Sequence, residues 1–249
     1  MTVEQIKSLA PSVFSTSPSP KMSNKYSFLP TFELLENFEG EGWNVSSVRQ
    51  VGKGEFAKHE LRLRNGELPQ VGDSIAEAII SNSHNGLSTL KISTGLFRLV
   101  CSNGLTVPTS VADNISIRHT KMDLGEVRRV TDQFAERLPI IERSVSKMEN
   151  TFLTDEKVMD FANKASLLRW MDSSKPGNFN MEKLLVPERV ADMGNSVWKT
   201  FNVLQEKFVR GGTKYRTPRG RSMSMKELKD FQVINRINTG LWELAESYC

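Results

Sequence analysis

Near Met122 the chain changes its hydrophobic period, and this limits what it can fold into. Downstream, Val127, Val130, Phe134, Leu138, Ile141, Val145, Met148 and Phe152 follow at intervals of 3, 4, 4, 3, 4, 3 and 4 residues. Only a helix puts residues so spaced on one face, so the pattern predicts one long striped helix. Pro139 lies inside it and should kink or split it. The stripe reads most simply as core, although it is long enough for a helix-to-helix dimer. Thr154 or Asp155 can cap a second helix reaching Trp170, and SSKPGN reads as a loop. A third helix is expected over about Val190 to Val209, with Val197, Phe201, Leu204 and Phe208 on one face. Ser224 and Glu227 fit a capping box for a last helix, striped by Leu228, Phe231, Ile234, Asn238, Leu241 and Leu244 or Ala245.

Upstream of Met122 the signals are those of strands. VSSVRQVGKG and FAKHELRLRN are short runs with partial alternation, closed by Gly or by Asn65-Gly66. IAEAIISN and LSTLKIS flank Asn85-Gly86, which reads as a hairpin turn. GLFRLVCSNGL fits a strand or a short helix, closed by Asn103-Gly104, and VADNISIRH fits one more strand. Before these, Thr31 is placed to cap a short helix after Pro30. Residues 1–27, with PSVFSTSPSPKMS, read as a tail, either disordered or an arm docking on a partner. The expected architecture is α+β: a β-rich part over 28–119 packed with a helical part over 120–249 as one compact domain.

Several function classes are excluded at this level. No window approaches 18 uninterrupted apolar residues, so no membrane span is expected, and MTVEQIKSLAPS has no secretory pattern. Cys101 and the final Cys249 do not suggest a pair, and a reducing cytoplasm is the expected compartment. No phosphate loop or dinucleotide fingerprint occurs. His59, His84 and His119 have no metal-ligand spacing, and Ser83 beside His84 lacks a nucleophile context. The expectation is a protein without cofactor or metal, and not an enzyme.

The charge is uneven. From Lys207 to Lys226 the chain reads KFVRGGTKYRTPRGRSMSMK, with Lys207, Arg210, Lys214, Arg216, Arg219, Arg221 and Lys226 and no acid. The other 229 residues hold 26 basic and 29 acidic side chains, so the net charge of +4 hides one basic stripe on an acidic chain. Gly211-Gly212, Pro218 and Gly220 punctuate it as a flexible loop. Such a loop can hold phosphates by counterion release, and Tyr215 can stack on a base. The alternatives are a solvated loop that keeps the protein soluble, or a protein contact. A second candidate is the polar run Ser81, Asn82, Ser83, His84, Asn85 and Gly86, whose backbone N–H groups could hold a phosphate or polar ligand. Plain turn chemistry explains that run as well.

SNSHNGLSTLKISTGLFRLVCSNGL resembles the hallmark of the "phage/plasmid-like protein" family, a domain of unknown function carried by bacteriophages and mobile elements. The matching steps are Asn82 to Gly86 and Gly95 to Leu105. Gly194 to Gly212 and Asn235 to Ala245 look alike too, and the resemblance spans about residues 20 to 248. The family supplies no residue roles to carry over. Its setting implies a protein of the host cytoplasm that handles phage or plasmid nucleic acid, single-stranded DNA ahead of duplex, in replication or recombination. Homo-oligomers are expected on that reading. The competing expectation is an interaction protein that inhibits a host defence factor, presenting SNSHNG or the N-terminal arm.

Overall fold

The computed structural model describes residues 1–23, 26, 28–86, 88, 90–98, 103–107, 124–170, 180–217 and 219–249. Cys101, the strand expected over Val111 to His119, the SSKPGN loop and Pro218 lie outside them. So do the side chains of Val127 and Val130. The chain forms an α+β fold of two compact units, Met1–Ile141 and Glu142–Cys249. The division falls inside the long helix rather than near residue 120. Among the described residues, no helix is long and apolar enough to cross a membrane.

The first unit is built on an antiparallel sheet of β1 (Trp43–Val51), β2 (Lys58–Asn65), β3 (Gln70–Val71), β4 (Ser74–Asn82), β5 (Lys91–Arg98) and β6 (Asn103–Thr106). The order is β1-β2-β4-β5-β6, with β3 paired to β4. Alternation decides which face each residue takes. Leu61 and Leu63 stand opposite Ile80 and Ala78, and Ile92 opposite Ile80, so one face is aliphatic. Asn103-Gly104 belongs to β6, opposite Arg98 and Phe97, instead of closing a turn.

Two helices, α1 (Val3–Leu9) and α2 (Thr31–Gly40), cover that aliphatic face. Ile6, Ala10 and Val13 are buried with Leu34, Leu35, Phe38, Trp43 and Phe134. The N-terminus is therefore part of the core and not a tail. Thr2 caps α1 by accepting from Gln5 N–H, and the terminal amine donates to Val45 C=O at 2.8 Å. The Ser/Pro composition misleads here because the anchors are the few apolar residues among the polar ones, with Ser12 and Ser19 hydrogen-bonded to Gln50 and His84.

The opposite face carries buried charge. Glu77, fully buried, accepts from Arg62 at 3.0 Å and from Arg64 at 2.9 Å, and Arg62 also meets Glu60 at 3.4 Å. The two carboxylates raise the Arg62 pKa above its ordinary value against the opposing effect of its own burial. Ser46, at a bulge in β1, donates to Glu77 as well.

The long helix is α3 (Leu124–Asn150), with Pro139 inside it; Phe152 falls beyond its end and is 70% exposed. The second unit packs α4 (Asp155–Arg169), α5 (Val197–Arg210) and α6 (Phe231–Glu246). Thr154 caps α4 and Ser196 caps α5. The expected face of α5, Val197, Phe201, Leu204 and Phe208, is buried. Trp198 stacks on Phe201 at 5.4 Å and meets Trp242 edge-on at 6.1 Å. Asp230, and not the Ser224 box, caps α6, because Ser224 lies in a strand.

Candidate nucleic-acid interface

The basic segment is a hairpin rather than a flexible loop. β7 (Lys214–Arg216) pairs with β8 (Ser222–Ser224), placing Lys214 opposite Ser224, Tyr215 opposite Met223 and Arg216 opposite Ser222. The tip closes on itself: Thr217 N–H donates to Arg221 C=O, Gly220 N–H to Thr217 C=O, and Arg221 N–H to Thr217 Oγ1. Alternation then sorts the side chains. Lys214 and Arg216 take one face with the two serines. Tyr215 takes the other, its hydroxyl 4.0 Å from the sulfur of Met223.

The base is fixed to the helices. Gly212 N–H donates to Met225 C=O, Met225 N–H to Thr213 C=O, and Leu228 N–H to Val209 C=O. Gly211 makes the turn at φ 76°, where a Cβ would lie 2.4 Å from Met225 O. Only glycine fits both the backbone and the space.

The seven predicted cations separate into two groups. Lys207 is 9% exposed on α5, and its ammonium pairs with Glu188. Arg210 meets Glu206 at 3.2 Å, and Glu206 also holds Arg189, with one contact of 2.7 Å. Both take part in ion pairs with acids of the fold, Lys207 nearly buried and Arg210 exposed. Lys214, Arg216, Arg219, Arg221 and Lys226 are all exposed. The acids paired with Lys207 and Arg210, Glu188 and Glu206, lie outside Lys207–Lys226, so a charge count within that run leaves them out.

Sequence reasoning missed three neighbours. Asn180 and Lys183 join Lys214, Tyr215, Arg216 and Ser222 around an open cleft of about 360 Å³. Arg169, at the end of α4, donates to Lys226 C=O at 3.0 Å and interacts electrostatically with Tyr215. Its Nε is buried without a hydrogen-bond partner, and burial lowers its pKa from the ordinary arginine value. No local motif marks these residues, since they come from separate segments.

The second candidate, Ser81 to Gly86, is mostly inside the protein. Ser81 and Asn82 end β4, and Asn82, Ser83 and His84 are buried. The β4–β5 connection runs over residues 83–90, longer than the tight turn expected at Asn85-Gly86. Asn82 Nδ2 donates to Thr31 Oγ1 at 2.9 Å, and Thr31 Oγ1 lies 2.8 Å from His59 Nε2 and 3.4 Å from His84 Nε2. Ser12 Oγ donates to Gln50 Oε1 and lies 2.8 Å from His59 Nδ1. Thr31 is thus the first residue of α2, and its hydroxyl serves this network instead of capping the helix. Burial lowers the His59 pKa to about 3, helped by the neighbouring His84, and burial lowers that of His84 to about 4. The side chains from Asn82 to His84 are therefore withdrawn from any ligand.

The family model described as "Domain of unknown function (DUF932)" matches residues 20–232. The UPF0380 protein YafZ of Escherichia coli (strain K12) is 31% identical over 99% of this chain and 91% of its own length. The UPF0380 protein YfjQ of the same organism is 30% identical over the same shares. No solved structure matches. With most of its length matched by that model, and with relatives aligned nearly end to end, the chain belongs to the DUF932 family.

Proposed function

We propose that this protein is a nucleic-acid-binding accessory protein that holds a single strand on the β7–β8 hairpin. One observation carries the reading: an exposed ribbon displays Lys214, Arg216, Arg219 and Arg221, with Lys226 at its base and no acid in the segment. Cations displayed this way gain affinity by releasing counterions from phosphates. Tyr215 on the other face offers a ring on which an unpaired base can stack, which favours single strands over duplex. The resemblance to phage and plasmid proteins supplies a setting, replication or recombination of mobile DNA in the host cytoplasm, where oligomeric strand-handling proteins operate.

The test is fluorescence polarisation of labelled single- and double-stranded DNA at two salt concentrations. Tight binding at low salt that weakens steeply with salt and prefers single strands supports the reading. Absence of binding at low salt removes it. The triple variant R216A/R219A/R221A is expected to lose binding and keep its fold.

A second reading, a protein partner such as a host defence factor, is favoured by a different observation. Phe152, Val186, Val190 and Met193 are exposed apolar residues, Val190 at 79%. Asn82, Ser83 and His84 are buried, and Ile6, Ala10 and Val13 anchor the N-terminus in the core, so neither segment is the free arm or tip the sequence suggested. Salt-insensitive capture of one partner, lost on Val190→Asp, would support this reading.

A further inference from the structure

The first unit carries a second cationic feature, remote in sequence from the hairpin. The turn joining β1 to β2 and the segment around Ser19 enclose an open cleft of about 470 Å³. That volume lies within the range of small-molecule sites. Its polar lining is Lys21, Lys53 and Lys58, with Ser19 and Asn85 as neutral donors and Glu55 as the one acid among the lining residues. Three ammonium groups against one carboxylate leave two excess positive charges in a concave site.

The backbone of the turn is shaped for the same sign. Gly52 and Gly54 have φ of 95° and 89°, values that glycine adopts readily. Gln50 Nε2 donates to both of their carbonyls, at 3.2 and 3.3 Å. In a trans peptide the N–H points opposite to the C=O, so the Lys53 and Glu55 N–H groups face away from Gln50. Amides turned outward in this way, here one residue apart and beside Lys53, offer hydrogen-bond donors to an anion.

The cleft is also held firmly. Gln50 accepts from Ser12 N–H and Oγ at 3.1 and 2.8 Å. Ala57, on the cleft wall, accepts from His59 at 3.3 Å, and Ser19 N–H donates to His84 C=O at 2.8 Å. The buried histidine network is thus the scaffold beneath the cleft. A preorganised site loses less on binding than a floppy one.

We infer that the cleft between the Gly52–Lys58 turn and Ser19, Lys21 and Asn85 binds a phosphoryl group. Its chemistry fits a phosphate of a mononucleotide or of a nucleic-acid strand. The reading is independent of the hairpin, which lies in the other unit. Lys58 also makes contacts within the fold, so the test uses Lys21 and Lys53, both exposed.

The full chain is titrated by calorimetry with pyrophosphate and with deoxyadenosine monophosphate, and by polarisation with a labelled oligonucleotide. K21A/K53A is expected to weaken binding about tenfold per lost charge-assisted contact while unfolding at the wild-type temperature. R216A/R219A/R221A should leave pyrophosphate binding unchanged even where it abolishes oligonucleotide binding. Loss of pyrophosphate or mononucleotide affinity in K21A/K53A supports the site with a small ligand. Loss of oligonucleotide affinity alone supports it with a nucleic-acid phosphate. Should the double variant fail to fold, Lys53→Gln on the exposed turn is read the same way. If neither lysine variant alters the affinity of any probe, or no probe binds, the inference is overturned.

Discussion

His59 Nε2 and Thr31 Oγ1 stand 2.8 Å apart among buried side chains, and the partners on the far side of His59 decide which of the two carries the proton. Gln50 Oε1 can only accept, so Ser12 gives its hydroxyl proton to Gln50 and must accept from His59 Nδ1–H. A neutral His59 then has a bare Nε2, which takes the proton of Thr31. Thr31 in turn accepts from Asn82, and His84 Nε2 lies 3.4 Å from the same hydroxyl. A charged His59 would bring a further donor to a hydroxyl that could no longer give its own proton to that nitrogen.

Acid should therefore unfold the first unit early. Both histidines are neutral when folded, with pKa values of about 3 and 4, and titrate near ~6.5 when unfolded. The stability they contribute is complete above pH ~6.5 and is lost as the pH falls from there towards 4 and then 3. Each histidine adds a slope of up to ~1.4 kcal/mol per pH unit across that window. Denaturant unfolding at several pH values checks this. His59→Gln should flatten the curve, and an unchanged slope in that variant would contradict the assignment.

Glu77 lies between Arg62 and Arg64 with no exposure. Glu77→Ala leaves two guanidinium groups without their carboxylate, and one of them, Arg62, is buried. A loss of about 3–5 kcal/mol is expected from breaking such a pair. Chemical denaturation measures it, and a loss below ~1 kcal/mol would mean that water replaces the carboxylate.

Ile6 is 1% exposed in α1. Ile6→Ala should cost roughly 2–5 kcal/mol, the range for a buried aliphatic truncation. A free N-terminal arm would give no measurable change, so thermal unfolding separates the two descriptions.

Gly211→Ala should act on the hairpin's attachment. The new Cβ would meet Met225 O at 2.4 Å and the Lys226 carbonyl carbon at 2.7 Å, both backbone atoms with no freedom to retreat. A loss of at least about 2 kcal/mol is expected. Faster amide exchange should appear at Gly212 and Met225, whose N–H groups close the base.

Lys207 and Arg219 should separate stability from binding. Lys207→Ala removes the partner of Glu188 and is expected to lower the melting temperature with the salt slope intact. Arg219→Ala is expected to keep the melting temperature. It should reduce the slope of log affinity against log salt by about 0.7 on single-stranded DNA.

The sequence revealed what local periodicity encodes. Val197, Phe201, Leu204 and Phe208 faced inward as their spacing demands, and Thr154 capped α4. The paired runs VSSVRQV and KHELRLRN became β1 and β2. What failed depended on distant partners. Thr31 looked like a cap because its neighbours are helical, but His59 and Asn82 claim its hydroxyl from across the fold. Lys207 looked free because Glu188 lies outside its segment. The β7–β8 pairing escaped detection because three-residue strands carry too little alternation to register, and the cleft of Lys21, Lys53 and Lys58 has no contiguous signature.

Among the described residues of the hairpin tip, Thr217, Gly220 and Arg221 bond one another through their backbones, while the base is bound to Val209, Met225 and Leu228. Residues at the tip can thus be lengthened, shortened or recharged at little cost to the helices below. A change of charge or length at the tip is thereby separated from the packing that folds the helices.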